Sequence, residues 1–132
     1  MSQTPIILTF QFPAKKLSRL RMAALRLGIR VRPVAVWEYL NSIGSFTGDL
    51  GSFDSMYDGP SFRDEMLVLA HFPDGLIDRF LHALRDAGLP PVACKAVLTE
   101  HNKGWNVLEL HEQLRKEHEA MNQGHALHDG QA

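Results

Sequence analysis

Five polar side chains around one predicted strand-to-helix junction, Lys95, Thr99, His101, Asn102 and Lys103, are of the types that bind an anion. The first N–H groups of a helix lack partners and its dipole favours negative charge there. A lysine on either side of such an entrance suits a phosphate or a carboxylate, with Thr99, His101 and Asn102 as hydrogen-bonding groups. The same residue types also make an ordinary turn. Asn106 is a good N-cap, Glu109 three residues on completes a capping box, and Trp105 with Leu110 forms a hydrophobic staple. Those devices need no ligand, so the turn is the favoured reading and a small anion the sharper alternative.

Metal and catalytic chemistry find less support. His111 and His118 are seven apart, whereas helical metal pairs use three or four, and His125 with His128 falls in a polar tail. No metal and no cofactor are expected. The chain has no G-x-S-x-G elbow, P-loop, G-x-G-x-x-G or H-E-x-x-H. Cys94, the single cysteine, alternates with Val92, Ala96 and Leu98 in a strand pattern and reads as a buried apolar residue. Lys95 points to the opposite strand face and is not placed to activate it. No catalytic residue is assigned, and the chain reads as a non-enzyme.

The elements that would position these residues follow an internal repeat. Residues 12–28 lie over 72–88 without a gap, and five of the 17 positions are identical: Phe12/Phe72, Pro13/Pro73, Arg19/Arg79, Ala23/Ala83 and Gly28/Gly88. Proline in the first turn and glycine just past the last are helix punctuation. Between them Leu17, Leu20, Ala24 and Leu27 share one helical face, as do Ile77, Phe80, Leu84 and Ala87. Each helix follows a short apolar run, residues 6–10 and 66–70, and precedes a second strand, 29–36 and 92–98. Near-continuous apolarity marks the first strands as central. Pro33 and Lys95 mark the second strands as edges.

The prediction is a single α+β domain over residues 1–132, a duplicated βαβ unit (about 5–40 and 64–121) forming a four-stranded ferredoxin-like sheet plus a C-terminal helix. The alternative is a small doubly wound parallel sheet. Residues 36–40 read as a short helix. The Gly- and Ser-rich connection 41–63 carries Ser-Phe pairs at 45/46, 52/53 and 61/62, as either a lid, a docked loop or a loop exchanged in a dimer. Residues 122–132 are expected to fray.

Length and composition suit one globular domain: 132 residues, 45% hydrophobic and 22% charged. A net charge of −1 hides an asymmetry, since residues 1–37 carry +7, residues 38–70 carry −5 and the rest −3. Lys15, Lys16, Arg19 and Arg26 give the first helix a basic surface. It is expected to face acidic segments of the same molecule or of a second copy, which makes a homodimer or another protein the partner and nucleic acid the weaker reading. The start of the chain lacks the basic region of a signal peptide and no apolar run would span a bilayer, so a cytoplasmic location is expected.

The run Lys95-Ala96-Val97-Leu98-Thr99, then Asn102 and Trp105, then a capped helix reaching Glu117-His118, resembles a bacterial domain-of-unknown-function family with a K-A-V-L-T-x-x-N-x-x-W signature. The resemblance is strongest over 66–121, with a weaker echo at 57–62. It implies that the strand-to-helix junction is one unit and carries no activity over. Relatives tend to have an aromatic or aliphatic residue where this chain has His111, which the resemblance sets against a metal role there.

Overall fold

The computed structural model describes residues 3–51 and 56–130, with side chains described as far as residue 121. Four strands form one mixed sheet: β1 (Ile6–Phe10), β2 (Arg30–Pro33), β3 (Met66–Ala70) and β4 (Cys94–Val97), in the order β2-β1-β3-β4. The helices are α1 (Ala14–Arg26), α2 (Ile43–Thr47), α3 (Leu76–Asp86) and α4 (Val107–Gly130). Every residue of β1 and β3 is buried, as their near-continuous apolar runs, broken only by Thr9, require of strands covered on both faces.

β1 pairs in parallel with β2, and β3 with β4, so each βαβ unit keeps its own two strands adjacent. β1 and β3 are antiparallel, centred on Leu8 opposite Val68. The direction follows from the connection between the units. β2 ends beside Thr9 and β3 begins beside Phe10, so the chain leaves and re-enters at the same end of the sheet. This antiparallel centre corrects the doubly wound alternative. The strand order in turn corrects the ferredoxin-like reading, in which each βαβ unit is split by a strand of the other; here neither is.

Strand alternation sorts the core into two layers. Ile7, Leu67 and Leu69 face α1 and α3, packing with Leu20, Ala24, Phe80 and Leu84. Ile6, Leu8, Phe10, Met66, Val68 and Ala70 face the other way, against Tyr39, Ile43, Val107 and Leu110.

Both long helices end alike. The Ile29 N–H donates to the Ala24 carbonyl and the Gly28 N–H to that of Leu25; sixty residues on, Leu89 donates to Leu84 and Gly88 to Arg85. Each is a Schellman closure, with the glycine at φ 72° or 79°. Gly28→Ala and Gly88→Ala should each cost about 1 to 2 kcal/mol, the penalty of a Cβ in the left-handed region. Urea unfolding checks this, and a loss at only one site would mean that the two turns are not energetically alike.

The connecting segment is more ordered than its composition suggests. Of the helix expected at 36–40, only a 3-10 turn at Val36–Glu38 forms, and α2 is an addition. The Ile43 N–H donates to the Trp105 carbonyl and the Gly44 N–H to that of Lys103, both at 2.8 Å, while the Tyr57 N–H donates to Trp37. A Cβ on Gly44 would lie 3.0 Å from the Lys103 oxygen, so this approach needs glycine. The segment is docked on the body, with Phe46, Tyr57 and Phe62 against the α4-side core. The Ser52-Phe53 pair lies outside the described residues. The fraying expected of residues 122–132 falls where side chains are not described, although α4 continues to Gly130.

Candidate functional site

At the strand-to-helix junction the polar groups already hold one another. The Thr99 N–H donates to Asn102 Oδ1, the Asn102 N–H to Thr99 Oγ1, and Asn102 Nδ2 to the Val97 carbonyl, at 2.8 to 3.1 Å. Asn106 and Glu109 form the reciprocal capping box, each backbone N–H bonded to the other's side chain at 3.0 and 2.9 Å. The Val107 N–H donates to the Tyr39 carbonyl. Lys103 pairs with Glu100 at 2.7 Å, a contact that raises its pKa, and His101 stands edge-on to Trp105 at 5.0 Å. Lys95 is not brought to this group. It lies on the α3 side of the sheet, beside Leu81, Leu84, Arg85 and Val92.

The basic residues divide. Lys16 pairs with Glu65 at 3.0 Å, and Arg32 clasps Glu38 through two hydrogen bonds of 2.8 and 2.7 Å. Lys15, Arg19, Arg21, Arg26 and Arg30 are exposed and form no ion pair or hydrogen bond among the described residues. Beside them on α1, Met22 is 56% and Leu25 72% exposed. A groove of about 510 Å³ runs between α1 and α3, lined by Arg19, Met22, Arg26, Ala83 and Asp86 among others. Charge and apolar surface thus share one face.

A second polar cluster lies on the opposite side of the sheet, under α4. Asp64 stands two residues before Met66 and so faces the same way, and Cys94 is the partner of Met66 across the β3–β4 ladder. His111 comes from α4, one turn past Val107, and is 8% exposed. Its Nε2 bonds to Asp64 Oδ2 at 2.7 Å, and its ring lies flat on Phe62 at 3.8 Å between centroids. One donor atom from each of Asp64, Cys94 and His111 lies within 4.8 Å of the others. Burial, reinforced by the Asp64 charge, pushes the Cys94 thiol up from its ordinary pKa. That is the reverse of what a nucleophilic thiol needs. Local spacing marks Cys94 as a buried apolar residue and gives His111 no metal partner on its own helix. The signal linking them was present in the strand register, which local spacing does not reveal.

Residues 65–121 match one known family model. It is described as Domain of unknown function (DUF3783). The matched segment runs from the residue before β3 into α4, taking in Cys94, the capped junction and His111, with Asp64 one residue before it. No curated protein and no solved structure matches the chain. No helix among the described residues is long and apolar enough to cross a membrane.

Proposed function

We propose that this protein is a non-catalytic cytoplasmic interaction module whose α1 face docks an acidic protein surface, a second copy of the chain being the first candidate. The observation that carries this reading is the set of five exposed cations that form no ion pair among the described residues, placed around the exposed side chains of Met22 and Leu25. Apolar area supplies affinity at such a surface, and charge supplies orientation and encounter rate. The chain also carries the complementary charge. α4 contributes Glu109, Glu112, Glu117 and Glu119 against Arg115 and Lys116 over residues 107–121, on the far side of the sheet from α1.

The matched helix closures, the left-handed residues Gln11 and His71 sixty apart, and the Leu8/Val68 register support descent of the two units from one duplicated βαβ segment. An anion site at residues 99–106 is the less favoured reading, because Thr99, Asn102 and Lys103 are engaged within the turn. Nucleic acid is disfavoured by the chain's net charge of −1.

Sedimentation of the purified chain tests the self-association. Association should be measurable at low salt and weaken at 0.5 M, where screening is strong. The double variant Arg19→Glu with Arg26→Glu should weaken it by about tenfold or more, since like charges then face each other. A monomer at high concentration in low salt removes the second copy as the partner. A duplex retardation that weakens steeply with salt and is lost in the same variant would instead make the face a phosphate binder.

A further inference from the structure

The Asp64, Cys94 and His111 side chains come from three separate segments, and nothing in the proposed docking role uses them. We propose that they form a binding site for a single zinc ion, with one coordination position left open. A thiolate, an imidazole and a carboxylate are the donor types zinc takes, and three protein ligands with a free position is the arrangement of its open sites. Zinc bonds of about 2.0 to 2.3 Å place tetrahedral neighbours about 3.3 to 3.8 Å apart. The three donor atoms here lie within 4.8 Å of one another, with the closest pair at 2.7 Å, so shifts of about an ångström close the site.

The surroundings are those of a held ligand set. Phe62 lies flat on the His111 ring and is itself stacked on Tyr39, which fixes the imidazole plane. Cys94 sits on the strand beside Met66, so the ladder fixes where its sulfur lies. Asp64 closes the group from the solvent side, with a side chain 56% exposed, which gives an ion a way in and leaves room for water at the fourth position. On binding, the Asp64–His111 contact gives way to bonds to the ion, and the thiol releases its proton. The absence of a short histidine spacing on α4 does not count against such a site, because each ligand comes from a different element.

Cobalt(II) is the probe, added to the reduced, chelator-treated full chain. The expected result is a thiolate-to-cobalt charge-transfer band that saturates at one ion per chain and disappears when one equivalent of zinc is added. Cys94→Ala should abolish the band. His111→Phe, which keeps an aromatic ring against Phe62, should lower affinity at least 100-fold, and Asp64→Asn at least tenfold. No band at millimolar cobalt, a band that survives Cys94→Ala, or equal binding by His111→Phe would each overturn the site and leave His111 a packing residue. Should His111→Phe fail to fold, Cys94→Ala still decides through the band. The docking reading is untouched by either result, since the site lies on the opposite side of the sheet from α1.

Discussion

Tyr39→Ala should destabilise the protein by about 3 to 5 kcal/mol, the range for removing a buried aromatic ring. Tyr39 is fully buried and sits where the connecting segment meets the sheet. Its ring is edge-on to Phe10 at 6.2 Å and stacked on Phe62 at 5.3 Å and Tyr57 at 6.4 Å. Its hydroxyl oxygen accepts a hydrogen bond from Gln11 Nε2 at 2.9 Å, and its carbonyl accepts the first N–H of α4. Truncation therefore opens a cavity and also leaves Phe62 without a support on the face away from His111. Tyr39→Phe keeps the ring and should cost only about 1 kcal/mol, the typical net worth of one hydrogen bond. Urea denaturation of the pair separates ring from hydroxyl. An alanine variant within 1 kcal/mol of the parent would show that the connecting segment contributes little to the fold. Burial raises the phenol's pKa, so this contact stays neutral throughout the ordinary range.

The second large effect concerns Glu38. Its carboxylate is 11% exposed, accepts both nitrogens of Arg32, and also accepts the Ala35 N–H at 2.9 Å. The Arg32 guanidinium holds the Glu38 carboxyl below its usual pKa, against the opposing effect of burial. Glu38→Gln should cost about 2 kcal/mol at pH 7, between the values for exposed pairs and for fully buried ones, because Arg32 itself is 39% exposed. Since the folded-state pKa is the lower one, the stabilisation is present above the unfolded value of about 4.3. It is lost as pH falls through the folded value. The gap between wild type and Glu38→Gln should thus be full at neutral pH and close in acid. A gap that does not change between pH 7 and the acid transition would mean that the pair contributes nothing through its charge.

Much of the architecture was legible because it is written in local chemistry. Pro13 and Gly28 bracket α1 and Gly88 closes α3, whose start at Leu76 falls three residues past Pro73, and Asn106 with Glu109 marks the start of α4 to the residue. The near-continuous apolar runs at 6–10 and 66–70 mark both central strands, and Pro33 and Lys95 both edges. Strand direction was not legible, because it depends on where residues 34–65 cross, and that is decided by tertiary contacts such as Ile43 to Trp105. α2 escaped notice because five residues containing Gly44 have no helical periodicity. Val92, expected inward beside Cys94, packs on the α3 side instead, since β4 begins only at Cys94. The Asp64–Cys94–His111 group was invisible for a related reason. Its members are 30 and 17 residues apart, and the ladder pairing Met66 with Cys94 and the packing of α4 on that face bring them together.

The register centred on Leu8 and Val68 has a consequence for the nascent chain. Until Ala70 has left the ribosome, β1 has β2 on one edge and nothing on the other, so a strand of five residues, four of them apolar, waits with open backbone groups. An antiparallel pairing centred on Leu8 is also geometrically open to a second nascent β1, which would bring two first halves together as a swapped pair. Pairing with β3 closes that edge of β1 within one chain.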